Sequence, residues 1–197
     1  MIVTIGRQHG SGGHDVARAL AEKLNISCYG KEIVDEAARR SNLCREVVDS
    51  FDEKRVAAFV AGEAHLFGLQ GTFGLNMQAA SAQFDAIRAL AEKGDAVFTG
   101  RCADYVLRER SDLLRVFVLS DLPHRIETVM KRYDLGEDQA KKLIREVDKD
   151  RASFYRYYTD QIWGEAENYD LCINSGPIGV DGAVEVIVSC LKARNMI

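Results

Sequence analysis

The sequence predicts an α/β fold, a parallel sheet with helices on both faces, and three observations carry that prediction. Apolar runs of strand length alternate with stretches whose apolar residues recur every three or four positions. The first strand, Ile2 to Ile5, runs straight into Gly10-Ser11-Gly12-Gly13 and then into Val16, Leu20 and Leu24, which share one helix face. No internal repeat or low-complexity stretch breaks the alternation, and only two prolines, Pro123 and Pro177, interrupt it. A chain of 197 residues can bury one core, with room for a small inserted lobe.

Each element follows from its residues. Ile2, Val3, Thr4 and Ile5 are β-branched and suit a buried strand. After the first helix, Ile26–Tyr29 reads as a short strand and Lys31 to Arg40 as a helix with Ile33, Val34, Ala37 and Ala38 inward. In residues 43–75, Gly62, Gly68, Gly71 and Gly74 break any long period, which predicts short helices and a mobile loop. Helix returns at about 77–93, and Ala96–Thr99 is a strand ending at Gly100-Arg101. Leu114–Leu119 is the next strand, followed by a helix with Ile126, Val129, Met130 and Tyr133 inward. Residues 137–162 are helical and charged, with few apolar positions; Leu171–Ile173 is a final strand and Val180 to Arg194 a closing helix. Residues 30–75 and 134–160 are the candidate insertions on a single domain spanning 1–197.

A strand, a glycine-rich turn and a helix together cradle a phosphate. Glycines admit positive φ and let backbone N–H groups close on an anion, and the helix adds its N-terminal N–H groups and dipole. The dinucleotide fingerprint G-x-G-x-x-G fails, because Asp15 stands where its last glycine belongs. The phosphate-loop pattern ends G-K-[ST], whereas here Gly12 is followed by Gly13 and His14, so the lysine is missing. A ligand-free turn before a helix is the plain alternative. In the phosphate reading the backbone of residues 10–14 does the binding, and a Cβ at Gly12 would obstruct it. His14 could donate to a phosphate when charged, but an ordinary pKa near ~6.5 leaves it mostly neutral at pH 7. Arg7, inside the loop, or a later cation would compensate for the lysine.

Composition narrows the class. Hydrophobic content of 47% and charged content of 28% are those of a globular protein. A net charge of −4 disfavours a nucleic-acid backbone as the main partner, so attraction for phosphate must come from local arginines. Cys28, Cys44, Cys102, Cys172 and Cys190 are odd in number and lack C-x-x-C spacing, which favours buried free thiols over disulfides or zinc. No apolar run approaches the ~20 residues of a membrane helix, and the N-terminus lacks a signal-peptide core. The expectation is a cytoplasmic protein with no membrane partner.

Four segments then resemble one family in order along the chain. Gly6-Arg-Gln-His-Gly-Ser-Gly-Gly13 looks like the S-R-Q-Y-G-S-G-G loop of the cytidylate kinase-like family, relatives of bacterial CMP kinase. Gly100-Arg-Cys-Ala-Asp-Tyr105 resembles its G-R-C-A-D-Y segment, and Asp148-Lys-Asp-Arg-Ala-Ser-Phe-Tyr155 its D-K-x-R-A-S-Y-Y segment. Trp163-Gly164 and Asn168-Tyr-Asp-Leu-Cys-Ile-Asn174 resemble its tail. The resemblance implies a P-loop NTPase three-layer fold in which 30–75 is an acceptor-binding insertion and 134–160 a lid. It implies phosphoryl transfer, ATP + CMP (or dCMP) to ADP + CDP (or dCDP), with Mg²⁺ accompanying ATP and no dedicated protein metal site.

The same resemblance implies the site. ATP phosphates would lie on Arg7, Gly10, Ser11, Gly12, Gly13 and His14; because His14 replaces the usual Ser/Thr, Mg²⁺ would be held by phosphates, water and an aspartate. Arg101, at the carboxyl end of a strand where ligands bind in open α/β sheets, would hold the acceptor phosphate, with Asp104 three residues on. The plain alternative for Arg101 is a surface ion pair. Tyr29 and Lys31 resemble the family's Y-D-K segment and would border the acceptor base and reach its phosphate; otherwise they are a core tyrosine and a solvated lysine. Lys149 and Arg151 would act from the lid. At 100° per residue they point apart on a continuous helix, where Lys149 and Arg156 share a face, so the family match requires a bend. A phosphotransferase for another small acceptor, or a nucleotide-binding regulator that has lost turnover with the lysine, are the competing readings.

Overall fold

Parallel pairing brings five strands into one sheet in the order β2-β3-β1-β4-β5, with β1 at Ile2–Arg7, β2 at Ser27–Tyr29, β3 at Ala96–Thr99, β4 at Leu113–Leu119 and β5 at Leu171–Asn174. The structure, a computed structural model, describes residues 1–41, 43–50 and 70–197. The helices are α1 (Gly13–Leu24), α2 (Glu32–Ser41), α3 (Arg45–Ser50), α4 (Gln70–Ala91), α5 (Ala103–Val106), α6 (Leu122–Tyr133), α7 (Glu137–Thr159) and α8 (Gly179–Ala193).

Strand alternation sorts the core into two layers. Ile2, Phe98 and Leu113 join Ile33, Val34, Ile87 and Leu90 of α2 and α4 on one face. Val3, Ile5, Val97, Leu114 and Val116 join Val16, Leu20, Ile187 and Leu191 of α1 and α8 on the other. The central strands are therefore apolar on both sides, as a sheet covered on both faces demands. Helices α6 and α7 build a separate small core from Ile126, Val129, Ala140 and Ile144.

Several sequence expectations need correction. The helix expected from about 77 begins at Gln70, because Gly71 and Gly74 each cost a helix about 1 kcal/mol without forbidding it. Tyr133 is not inward: it is 48% exposed at the end of α6, although its ring stacks on His9 at 5.8 Å between centroids. The cysteines are free, but only Cys102 is buried; Cys44 and Cys172 are exposed. Of the expected acceptor-binding insertion, 30–75, the described parts are α2, α3 and the start of α4, while residues 42 and 51–69, with the loop expected there, lie outside the described residues. No helix among the described residues is long and apolar enough to cross a membrane.

Candidate active site

Because every strand is parallel, all five carboxyl ends lie at one edge of the sheet, and the glycine loop between β1 and α1 closes there. The loop is pinned by its own groups. The Ser11 hydroxyl lies 2.9 Å from the Gln8 carbonyl and 3.0 Å from that of Val118, and the Ser175 hydroxyl donates to the Ser11 carbonyl at 2.6 Å. Ser11 is therefore turned into the fold, and its N–H also donates to the Gln8 carbonyl, at 3.3 Å. Gly10 and Gly12 have φ of 82° and 75°, the left-handed region that favours glycine. At Gly12 an added Cβ would meet only Val180 Cγ2 among protein atoms, at 3.6 Å, so within the protein the demand for glycine is one of backbone conformation. At Gly13 the demand is space, since a Cβ would overlap the Cβ of Arg7.

Helix α1 starts at Gly13, so the N–H groups of its first turn have no intrahelical partner and face the loop. His14 is exposed beside them. Partial desolvation, with the cations of Arg7, Arg18 and Arg132 and against the pull of Asp15, lowers its pKa below the ordinary value.

Three of the expected cationic residues converge. Arg7, Arg101 and Arg151 line one small cavity together with Asp104, Tyr155 and Trp163. Arg101 sits in a left-handed turn (φ 56°) right after β3 and is 6% exposed. Its Nη1 donates to Gln83 Oε1 at 2.9 Å, and Gln83 Nε2 donates to the Val48 carbonyl at 3.0 Å. This is a buried, braced guanidinium, not the surface ion pair of the plain alternative. Arg151 Nη1 donates to the Arg7 carbonyl at 3.1 Å, which ties α7 to the end of β1.

The remaining candidates stand apart. Helix α7 runs unbroken from Glu137 to Thr159, and Lys149 is exposed on it, as is Arg156. Tyr29 packs its ring against Phe98 at 5.2 Å on the edge of the core, and Lys31 is exposed; neither lines the arginine cavity.

Asp104 is buried, and burial pushes its carboxyl above the usual range against the opposing pull of Tyr155. Tyr155 Oη lies 2.7 Å from Asp104 Oδ2 and 3.0 Å from Gln161 Oε1. One phenolic hydrogen cannot serve both acceptors at once. With the phenol donating to Asp104, the contact that opposes the effect of burial, a turned Gln161 amide donates its N–H to the phenol oxygen.

Sequence reasoning missed a clamp beside the loop. Asp148 of α7 accepts the His9 backbone N–H at 2.7 Å and a short bond from Arg125 Nη2, while Arg125 Nε donates to the His9 carbonyl at 2.9 Å. Arg125 is 6% exposed. Its signal was present: Arg125 lies four residues before Val129 on the apolar stripe of α6, and a charge there must find a partner.

No group of three or more His, Cys, Asp or Glu side chains among the described residues is arranged to hold a metal.

Comparison with known proteins places the arrangement. Residues 2–177 match the model of the cytidylate kinase-like family. The chain is 24% identical over 198 residues to the cytidylate kinase of Methanococcus vannielii, covering 98% of this chain and 100% of that one. It is 25% identical over 193 residues to that of Methanothrix thermoacetophila, covering 98% and 99%. Among solved structures, an uncharacterized protein from Eubacterium ventriosum shares 31% identity with a TM-score of 0.74 over 98% of each chain. A shikimate kinase from Bacteroides thetaiotaomicron, 15% identical with a TM-score of 0.56 over 98% of each chain, shares the fold. The glycine loop, the arginines at the carboxyl edge of the sheet and the match across nearly the whole sequence agree: this chain belongs to the cytidylate kinase-like family of P-loop kinases.

Proposed function

We propose that this kinase transfers the γ-phosphoryl group of ATP to the phosphate of CMP or dCMP, forming ADP and CDP or dCDP. The observation that carries the reading is the convergence of Arg7, Arg101 and Arg151 on one cavity beside the glycine loop. Phosphoryl transfer asks for in-line positioning and positive charge around the moving group, and little covalent chemistry from the protein. The loop backbone of residues 10–14 holds the ATP phosphates, and Arg101 holds the acceptor phosphate. Arg151 acts from 134–160 as a lid, whose closure excludes water and strengthens those contacts. Tyr29 and Lys31, at the carboxyl end of β2, border the acceptor, and Lys149 provides solvent-side charge on the lid. Mg²⁺, held by the nucleotide phosphates, supplies charge neutralisation. The setting is cytoplasmic, and the chain works as one domain.

CMP as acceptor rests on the family and on relatives about 24% identical. The deciding experiment is a coupled assay of ADP formation from ATP with CMP, dCMP, UMP, AMP and GMP in turn. Turnover with CMP or dCMP well above the others supports the proposal. A different preferred monophosphate reassigns the acceptor. Tight ATP binding with no acceptor-dependent ADP makes the chain a nucleotide-binding regulator instead.

A further inference from the structure

We infer that Arg7 is the catalytic cation of this kinase, standing in from the end of β1 for the lysine that the glycine loop lacks. The inference deepens the kinase reading and rests on it. Three observations on different residues point the same way.

Position 13, where a lysine would stand, cannot carry any side chain in this backbone, because its Cβ would overlap the Cβ of Arg7. A lysine at 13 and an arginine at 7 compete for one space, and here the arginine fills it. Arg7 also belongs to the site. It lines the cavity shared with Arg101 and Arg151, and its charge reaches His14 at the start of α1, helping to lower that imidazole's pKa. Its position is fixed: the Arg7 backbone pairs in register with Val118 of β4, and its carbonyl accepts Arg151 Nη1. Arg7 therefore joins the two halves of the site: its side chain packs on Gly13 of the glycine loop, and its carbonyl accepts Arg151.

The step it serves balances without a protein base. The bond between the γ-phosphorus and the β,γ-bridging oxygen breaks, its electron pair stays on ADP, and a dianionic oxygen of the acceptor phosphate forms the new P–O bond. No proton has to be removed from the attacking group. What the step needs is a cation near the equatorial oxygens of the moving phosphoryl, with geometry set in advance. Arginine's planar fork suits that task better than a point charge.

The test is steady-state kinetics with ATP and CMP beside calorimetry of ATP, on four proteins: wild type, Arg7→Ala, Arg7→Lys, and the double variant Arg7→Gly with Gly13→Lys. Arg7→Ala should lower kcat about 100-fold or more, the scale of a lost preorganised donor. Its ATP Kd should weaken about three- to ten-fold. Arg7→Lys should keep more activity than Arg7→Ala. The double variant removes the overlapping Cβ, puts the cation back at 13, and should recover at least about ten-fold in kcat over Arg7→Ala. Circular dichroism and melting confirm that each variant is folded. Wild-type kcat in folded Arg7→Ala overturns the inference and leaves the kinase reading standing, as does a folded double variant no better than Arg7→Ala. If the wild type turns over no monophosphate, the kinase reading falls and Arg7 is judged on ATP alone. Weakened affinity in Arg7→Ala that returns in the double variant then supports the cation swap, and equal affinity in all four overturns it.

Discussion

Asp104 shows how a single residue's surroundings become a measurable pH dependence. Its carboxyl is pushed above its ordinary 3.8 by burial, so the folded protein holds a proton there that the unfolded chain has released. The sign follows from linkage: this contribution is full below the unfolded pKa and is lost as pH rises through the folded one. Stability attributable to Asp104 should therefore fall on going from acid toward neutral pH. Asp104→Asn, a neutral donor of the same shape, should remove that slope in denaturant titrations run from pH 4 to 8 (roughly the span in which carboxyls titrate). An unchanged slope in the variant would place the proton elsewhere. His14 makes the opposite case. Its pKa lowered by desolvation and three arginines, it should titrate below 6.5 in the free protein and move upward when ATP phosphates arrive beside it. An imidazole NMR titration that ATP leaves untouched would take the phosphates away from the start of α1. In the proposed reaction Arg101 carries two jobs at once. Arg101→Ala should weaken CMP binding by about 1–3 kcal/mol, the range for a lost charge-assisted contact, with ATP affinity nearly constant. It should also lower the melting temperature, because Gln83 Oε1 loses its buried donor. Collapse of ATP affinity with CMP affinity intact would reverse the two ends of the site.

At the scale of elements, the clamp between α6, α7 and the loop has the largest consequence. Asp148 joins Arg125 and the His9 N–H in a partly buried triad, with side chains 18% and 8% exposed for the acid and the arginine. Breaking such a pair leaves a buried charge without its partner, a loss of about 3 kcal/mol or more. Asp148→Ala should therefore destabilise the protein and speed amide exchange across the middle of α7, while Lys149→Ala, on an exposed position, should do neither. Comparable melting temperatures for the two variants would mean the triad holds nothing together. The same element shows what the sequence could and could not convey. Strands with β-branched runs, such as Ile2 to Ile5, and helices with clean stripes, such as Val16–Leu20–Leu24, were legible because their signals are local. Arg151 could be assigned to the site through the family motif, but its partner, the carbonyl of Arg7, lies 144 residues away and leaves no trace in spacing. Pairing of Arg125 with Asp148 was hidden for the same reason. Lys149 was brought toward Arg151 by the motif against helical geometry, and α7 follows the geometry. Gly71 and Gly74 misled because glycine weakens a helix without ending it.

The whole molecule divides into a sheet-centred body and a hairpin of α6 and α7 that has its own core of Ile126, Val129, Ala140 and Ile144. Several contacts hold the hairpin to the body, among them the Asp148–Arg125–His9 clamp near the middle of α7, the Arg132–Asp15 ion pair, the Arg151 bond to the Arg7 carbonyl, and the packing of Phe154 and Tyr155 with Cys102 nearer its end. A unit with its own internal core can move as one piece once those contacts give way, which is what a lid requires. One anchor sits on the phosphate loop itself, since Asp148 accepts a loop N–H. Nucleotide phosphates arriving at that loop meet a carboxylate already there, and like charges repel. Binding of ATP alone should therefore loosen the middle of α7, whereas ATP with CMP should close it through Arg151 and the acceptor end of the cavity. Hydrogen exchange of residues 137–159 is the measurement. Faster exchange with ATP alone and slower exchange with both substrates, beyond the free protein, is the expected pair of results. A regulator that only binds ATP would show one response to ATP and no further change with CMP. Exchange that ignores both nucleotides would remove 134–160 from the mechanism and leave α7 as a charged helix fixed to the surface of the sheet.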